Sequence, residues 1–351
     1  MKTRLMAAVV AGVSGMAVGQ TFDVQLGAPT LDRYMYPFAP TPGVEQSVPT
    51  FGAINQAGFD DRDAQMLLGY DLFGLVPSGL DESRYEVESA RVTVYFSTEQ
   101  RWRYDPTPDS VRSLYDVNDP EYVADPDPGT PVELYGVGYR NGQTEATFGE
   151  TTAFSPFPPV PPREGVRSVY PAVFDGAGNA TDISRQVRQR FDTTAMAVGV
   201  NPALAPGQLN PQGESLTFEV DLSDATHAAY FARACATGRL RLMVTTLEPA
   251  SGGPGGGEGG LYPSFFTKEN PTAVSLGLTA SLTMRVRVTP GCDPDFNQDG
   301  NVDQDDVACL AQVVAGDPAC SAGDPDFNGD GNVDQDDVAV LAQVVAGAGC
   351  P

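Results

Sequence analysis

Histidine, tryptophan and basic residues are scarce in this 351-residue sequence. It has one His, one Trp, and 21 Lys and Arg against 46 Asp and Glu, which gives a formal net charge of −25. So acidic a chain is a poor partner for nucleic acids and for anionic membrane surfaces. A zinc site built from several histidines is excluded, and the sequence has neither a Gly-x-Ser-x-Gly elbow nor a phosphate-binding glycine loop. No motif therefore points to a familiar class of enzyme.

Long apolar runs are also missing beyond the N-terminus. No later segment approaches the ~20 apolar residues that a membrane-spanning helix needs, so we expect no membrane span in the mature chain. Residues 1–19 have the pattern of a signal peptide, in which Lys2 and Arg4 precede a short apolar stretch and Ala17-Val18-Gly19 offers a cleavage site. An uncleaved anchor is the alternative, and the short, glycine-interrupted run disfavours it. We therefore expect cleavage before Gln20 and a secreted, extracellular protein, free or attached to the cell surface.

The sequence predicts one mainly β domain over residues 20–290. Apolar and polar residues alternate in several segments, which indicates strands with one buried face and one face in water. Gly (38) and Pro (30) are abundant, as is typical of turns between strands. We expect a large jelly-roll-like β-sandwich with long loops. The predicted strands are 91–96, 239–244 and 281–288, with 66–72 and 216–222 as further candidates.

Helices are expected to be few and short in this domain. The glycine-rich run 251–260 is either an interdomain linker or a loop within the sandwich. Strand-like sequence resumes after it, which favours the loop. The predicted helices run from 224 to 237, with Ser223 as N-cap and Gly238 as stop, and from Thr181 or Asp182 to Arg190.

The tail, residues 291–351, contains an internal repeat. A twelve-residue segment, 295–306, recurs 31 residues later as 326–337, and the two copies differ only at Gln298 and Gly329. An apolar helix is predicted after each copy. The tail holds 13 Asp and no Lys, Arg or Glu, so about half of the net charge lies there.

The repeated segment has the spacing of a calcium-binding loop. Calcium takes six to eight oxygen ligands at about 2.3–2.6 Å, and a flexible all-protein cage favours it over magnesium. Position six needs a backbone conformation that glycine adopts cheaply, and Gly300 and Gly331 occupy it. Val302 and Val333, at position eight, are expected to point into the core. An acidic loop exposed to solvent is the alternative, and it does not explain the tandem repeat. The predicted ligands of two calcium ions are Asp295, Asn297, Asp299, Asn301, Asp303 and Asp306 in the first loop, and Asp326, Asn328, Asp330, Asn332, Asp334 and Asp337 in the second.

The pattern Asp-x-Asn-x-Asp-Gly-x-Val-x-x-x-Asp followed by one helix resembles the type I dockerin module over residues 292–351. An EF-hand sensor differs, because it has Glu at position twelve and a helix before each loop. The resemblance implies that the tail attaches a secreted protein to a cohesin-like receptor on a scaffold or cell surface, often in polysaccharide breakdown. Positions ten and eleven are Gln304-Asp305 and Gln335-Asp336, where cellulosomal dockerins carry Ser or Thr, which argues against a cellulosomal cohesin. The near-identical repeats permit two equivalent binding faces.

Four of the five cysteines lie in the tail. Export permits disulfides, and a small module with little apolar mass needs ions, disulfides or both. Four cysteines allow three connectivities, between which the sequence does not choose. The dockerin resemblance, in which the ends lie close together, implies Cys292–Cys350 and then Cys309–Cys320. The Gly-Cys near each end resembles dockerins of secreted proteins from planctomycete-like bacteria. Cys235, in the larger domain, is expected to be a buried, unreactive thiol.

The end of the β domain resembles DNRLRE-type β-sandwiches of bacterial secreted proteins. The resemblance is carried by a capped helix after Phe218-Glu219-Val220-Asp221, a strand near 240–246, the segment 265–270 and a final alternating strand. Some members of that family bind polysaccharides, so the resemblance implies a possible carbohydrate ligand.

Three functions are compatible with these patterns. The leading hypothesis is a secreted, non-catalytic β-sandwich anchored or assembled through the calcium-binding tail. The second is a carbohydrate-binding module with the same anchor, in which Trp102 would stack on sugars; packing on the sandwich is the commoner role of such a residue. The third is a polysaccharide-degrading enzyme, since a catalytic carboxylate pair is distant in sequence and has no motif. His227, inside a predicted helix, is expected to be a packing or surface residue.

Overall fold

The computed structural model describes residues 20–250, 261–289, 292–317, 320, 323–328, 330 and 332–348. The chain divides into two compact units, one spanning Phe22–Val286 and one that includes Arg287–Pro351. We call the first the β unit, and we keep the name tail for residues 291–351, which lie in the second. The predicted signal peptide and the glycine-rich run 251–260 lie outside the described residues.

Fourteen strands are present in the described residues. They alternate with long irregular segments, as the high content of proline and glycine predicts. The strands are β1 (Gln20–Leu26), β2 (Leu31–Met35), β3 (Ser47–Pro49), β4 (Phe51–Gly52), β5 (Arg62–Asp71), β6 (Tyr85–Tyr95), β7 (Val132–Tyr139), β8 (Val169–Phe174), β9 (Ala180–Asp182), β10 (Ala197–Val198), β11 (Ser215–Glu219), β12 (Arg239–Thr246), β13 (Ser264–Phe266) and β14 (Ser281–Val288).

The strands form two principal sheets. The smaller has the order β1-β14-β6-β11, and the larger has the order β2-β5-β12-β7-β8-β9, with β4 beside β5 and β10 beside β7. Strands β3 and β13 form a two-stranded ribbon. The strand pairings of the larger sheet are antiparallel. The predicted mainly β class is confirmed, and the antiparallel sheets are consistent with a sandwich.

The two sheets differ in how they are buried. In β14 every second residue is buried and the others are exposed or half-buried, so the predicted wet face is correct there. In β12 nearly every residue is buried, and the predicted wet face is wrong. Arg241 lies on the face expected to be wet, where its guanidinium donates to the carbonyl of Tyr70 at 3.3 Å and to Asp71 at 3.1 Å. Hydrogen bonds to the last two residues of β5 thus take the place of water around the Arg241 guanidinium.

Charged residues also conceal the start of β5. The prediction began this strand at residue 66, but it begins at Arg62. Arg62 is 1% exposed and pairs with Glu133 at 2.5 Å, so its charge is neutralised inside the sheet. Alternation of apolar residues does not reveal a strand whose buried positions are ion-paired.

The helices of the β unit are short, as expected. The longest, α2, keeps its predicted end at Gly238 (φ +70°), but its N-cap is Asp224, which accepts from the Thr226 amide, and not Ser223. Within the described ranges, every helix is too short or too polar to cross a membrane. The helices are α1 (Gln186–Gln189), α2 (Ala225–Thr237), α3 (Pro271–Leu276), α4 (Gln304–Val314) and α5 (Gln335–Val345).

The second predicted helix is largely wrong. Residues 180–182 form strand β9, and only 186–189 are helical. Asp182, predicted as a possible N-cap, instead accepts from the Ser184 amide at 2.8 Å and pairs with Arg140. Its carboxylate therefore stabilises a turn at the sheet edge. The helix ends at Gln189, one residue before its predicted end, and Arg190 follows it with left-handed backbone.

The tail is built around two helices, α4 and α5, and a small shared core. Phe296 and Phe327 occupy equivalent positions of the two repeats and are buried with Leu310 and Leu341. Val302 and Val333 are 50% and 48% exposed, so their predicted place in the core is wrong. The two phenylalanines, and not the two valines, contribute to the buried core of the tail.

One disulfide of the tail is confirmed. Cys309 and Cys320 are joined, with their Cα atoms 5.4 Å apart. Cys309 replaces the valine found at the same position of the second repeat, Val340. The other predicted pair, Cys292 with Cys350, involves a residue outside the described ones.

Candidate metal centre

Each repeat ends its loop in a capping box at the start of its helix. In the first repeat, Asp303 is the N-cap of α4 and accepts from the Asp305 amide at 2.8 Å, while Asp306 accepts from the Asp303 amide at 2.8 Å. The second repeat forms the same box with Asp334 and Asp337. The box fixes the twelfth carboxylate relative to the helix. The cap role of position nine was not anticipated from the ligand pattern.

The twelfth residue of each loop is a buried aspartate. Asp306 is fully buried, and its second oxygen accepts from the amide of Asn297, at position three, at 3.0 Å. Asp337 is also fully buried and accepts from Asn328 at 3.0 Å. The tail has no Lys or Arg that could neutralise these carboxylates. A buried carboxylate is costly unless it is paired or hydrogen-bonded.

The other predicted ligands of the first loop turn inward as well. Asp295 accepts from the amides of Asp299 (3.1 Å) and Gly300 (3.0 Å), and Asn297 accepts from Asp299 at 2.9 Å. Asp299 accepts from the amide and the side chain of Asn301 at 2.9 and 3.0 Å. Gly300 has φ +91°, the left-handed region that position six was predicted to need. These contacts bring the predicted side chains together around the loop backbone.

The second loop repeats the contacts among positions three, five and seven. Asn328 accepts from Asp330 at 2.8 Å, and Asp330 accepts from the amide and side chain of Asn332 at 2.8 and 3.1 Å. In the described part of both loops, no three carboxylates come within 4.8 Å of one another. The carboxylates accept hydrogen bonds from backbone amides, and the predicted ligand sets also include asparagine and carbonyl oxygens.

The donor set of both loops fits a hard divalent cation. The inward-facing side chains supply only oxygen, from carboxylates and asparagine amides, and include no His, Cys or Lys. Calcium prefers such ligands in a flexible loop, whereas zinc prefers nitrogen and sulfur. A bound calcium would be held by the carboxylates at positions one, five and twelve, by the asparagine at position three and by a carbonyl at position seven. The ion would supply the positive charge that the buried twelfth carboxylate otherwise lacks.

Two acidic clusters in the β unit were not predicted. One joins Asp32, Glu150 and Glu269, and one oxygen from each lies within 4.8 Å of the others. Lys268 contacts all three, with its Nζ 2.8 Å from Asp32 and 3.1 Å from Glu269. This cluster therefore carries its own cation. Its members are far apart in the chain, so no local pattern reveals it.

The other cluster joins Asp105, Asp109 and Asp127, again with one oxygen from each within 4.8 Å of the others. Burial, together with the charges of Asp105, Asp125 and Asp127, raises the pKa of Asp109 to about 8. The residues come from two Asp- and Pro-rich loops.

The sugar-stacking prediction for Trp102 is wrong. The side chain is 1% exposed, and its Nε1 donates to the carbonyl of Thr130 at 2.9 Å. The ring packs beside Phe96 and Tyr104. The alternative, a structural aromatic residue of the β unit, is confirmed.

The remaining candidates for chemistry are structural. Burial raises the pKa of the Cys235 thiol to about 12, so this cysteine is not a nucleophile at neutral pH. His227 is buried, and its Nδ1 lies 2.9 Å from the carbonyl of Asp221, just before α2, which confirms a packing role.

Neither a scan against protein-family models nor a search of the curated proteins returned a match for this chain.

Proposed function

We propose that the tail is a dockerin-like module that binds two calcium ions and attaches an exported, non-catalytic β unit to a receptor protein. The observation that carries the proposal is the buried aspartate of each loop, Asp306 and Asp337. Each accepts hydrogen bonds from backbone amides of its loop, and the tail has no basic side chain to neutralise it. A calcium ion in each loop resolves this imbalance.

Calcium would act here as a structural element. It would hold positions one, three and five against the twelfth residue, which is itself fixed to the helix by the capping box. The ion thus couples the loop to α4 or α5. Because the tail core is small, ion binding and folding of the tail are expected to be linked.

The two repeats present the same set of residues to solvent. Val302 and Val333 are half-exposed at equivalent positions, and each is followed by an exposed Gln-Asp pair. Exposed apolar side chains beside polar ones are typical of protein-binding surfaces. This arrangement supports two equivalent faces for one cohesin-like receptor on a scaffold or cell surface. The absence of basic residues in the tail favours a receptor with positive charge at its rim.

The β unit is proposed to be the cargo that the tail attaches. Its jelly-roll order and its link to polysaccharide degradation remain predictions. The carbohydrate-binding alternative loses its candidate platform, because Trp102 is buried. The enzyme alternative also remains a prediction, and turnover of a polysaccharide panel by the full chain would establish it.

The test of attachment is capture of a receptor from the envelope fraction of the source cells. Immobilised full chain should retain the receptor in calcium and release it in EDTA. The single variants Val302→Glu and Val333→Glu should retain it, because one face suffices, while the double variant should lose it. Val117→Glu, at an exposed valine of the β unit (70% exposed), is the matched control and should behave as wild type. Capture that survives both EDTA and the double substitution would refute attachment through this module.

A further inference from the structure

We propose that the β unit contains a calcium site of its own, formed by Asp105, Asp109 and Asp127. Asp105 and Asp109 precede the short 3-10 helix Val111–Leu114, and Asp127 lies in the loop before β7. One carboxylate oxygen from each lies within 4.8 Å of the other two. Asp105 is fully buried and the other two are half-buried. The site is separate from the tail loops and independent of the function proposed for them.

Two of these carboxylates hold oxygens that lack a hydrogen-bond donor. Asp105 Oδ2 and Asp127 Oδ1 are buried, and neither has a partner among the described residues. The other oxygens of the pair both contact the Thr107 hydroxyl, at 2.7 and 2.9 Å. That hydroxyl donates to only one of them, and the Thr107 amide donates to Asp105 Oδ1 at 2.9 Å. Two of the four oxygens, Asp105 Oδ2 and Asp127 Oδ1, therefore lack a donor where water does not reach them, which points to a bound cation.

No basic side chain supplies the missing charge. In the described part of the chain, none of the salt bridges includes Asp105, Asp109 or Asp127. Arg103, the nearest arginine in the sequence, directs its guanidinium to the Gly207 carbonyl at 3.4 Å. The cluster around Lys268 is the informative contrast, because there an ammonium group occupies the position between the carboxylates.

Contacts within the protein hold the two loops together. Gly129 has φ +122°, and a Cβ at this position would lie 2.9 Å from both the Arg103 carbonyl and the Asp105 Cβ. Only glycine permits so close an approach of the loops. The Trp102 side chain also bridges them through its hydrogen bond to Thr130. A site on rigid, preorganised loops loses little entropy when it binds an ion.

The ligand chemistry selects the ion. Three carboxylates with no nitrogen or sulfur ligand suit a hard cation and exclude the usual zinc set. Calcium tolerates irregular geometry and completes its shell with water, whereas magnesium demands a near-ideal octahedron. Sites of this kind in extracellular modules bind calcium with Kd values of about 10⁻⁴–10⁻³ M.

Trp102 makes the site directly testable in the full chain, because it is the only tryptophan. It lies three residues before Asp105 and bonds to a residue three after Asp127, so its emission reports this site and not the tail. Calcium chloride titrated into the wild type should change Trp102 emission saturably. The change should persist in the tail variant Asp306→Asn/Asp337→Asn. Asp109→Asn is the first site variant, because Asp109 is half-buried and its loss is least disruptive to folding.

Asp109→Asn should raise the calcium concentration for half-maximal change at least about tenfold, since ligand charge sets the affinity of such sites. It should also bind one ion fewer than wild type by equilibrium dialysis. Asp105→Asn should give the same result, and Asp116→Asn, an exposed aspartate in the same region, should match wild type. Equal ion counts in wild type and Asp109→Asn would overturn the site. So would a Trp102 response that is lost only in the tail variant, because that response would originate in the tail.

Discussion

The buried acidic residues of the two units have different hydrogen-bond partners. In the β unit, buried carboxylates pair with arginines, as Glu133 does with Arg62 (2.5 Å) and Asp60 does with Arg167 (2.7 Å). The tail has no Lys or Arg, and the hydrogen bonds of its buried aspartates come from backbone amides. The partners of these β-unit carboxylates are therefore encoded in the sequence, whereas we propose that ions from solution neutralise the buried aspartates of the tail.

Removing calcium should separate the two units most strongly. In EDTA we expect the tail to lose helical signal and protection of α4 and α5 from hydrogen exchange, because its acidic loops then repel one another without a counter-ion. At calcium concentrations about 100 times Kd, each site would stabilise the tail by about 2.7 kcal/mol. Hydrogen exchange followed by mass spectrometry would resolve the effect by segment.

The core strands β5, β7 and β12 serve as the internal control for this experiment. Their exchange protection should change little in EDTA, because arginines and not ions balance their charge. Equal loss of protection in the strands and in α4 would contradict the contrast between the units.

Breaking an arginine pair should damage the β unit alone. Arg62→Met leaves Glu133 buried without its cation, with only the Tyr135 hydroxyl bonded to it, and should lower the free energy of unfolding by about 3–5 kcal/mol. Urea unfolding followed by Trp102 emission measures it. Arg91→Met is the matched control, because Arg91 and Glu219 form an exposed pair that should contribute at most about 1 kcal/mol. If both substitutions cost the same, the buried pair is not a principal source of stability.

The tail disulfide should matter less than the ions. Cys309→Val/Cys320→Ala gives the first repeat the valine that the second has at position 340, so packing is largely preserved. Opening a loop with a sequence separation of 11 should destabilise the tail by about 2–3 kcal/mol. Hydrogen exchange in α4 at fixed calcium reports the change. Unaltered exchange there would mean that ions alone determine the stability of the tail.

Glu248 is an acidic residue of the β unit whose pKa is raised, and its substitution should change stability least among the variants considered. Burial raises its pKa to about 7, while a hydrogen bond from Thr130 and the charge of Arg103 oppose the rise. The folded state thus holds an extra proton, and the free energy of unfolding should fall as pH rises from about 4.5 to about 7.

Glu248→Gln removes that titration. We expect the variant to lose about 1–2 kcal/mol less stability than wild type between about pH 5 and about pH 8. Urea midpoints at both pH values provide the measurement. Parallel pH profiles for the two proteins would show that Glu248 ionises without cost in the fold.

The tail was the more predictable unit because its signals are local. The glycine at position six and the aspartate at position twelve lie within one twelve-residue repeat, and in the structure Gly300 has the predicted left-handed backbone while Asp306 is buried. The valine at position eight was misplaced. Its burial depends on how the two repeats pack, and Phe296 and Phe327 occupy that core instead.

The β unit was predictable in class but not in detail. Alternation revealed β14, whose charged side chains face water, and obscured the start of β5, where Arg62 is buried by ion pairing. Asp105 and Asp127 meet only because two distant loops converge. Contacts at such separation leave no periodic pattern in one sequence.

The most direct test of the account is the number of calcium ions that the full chain binds with and without the tail aspartates. We predict that Asp306→Asn/Asp337→Asn binds two ions fewer than wild type in equilibrium dialysis, while the response of Trp102 to calcium is retained. A double variant that binds as many ions as wild type would contradict the central claim that the repeated loops are calcium sites.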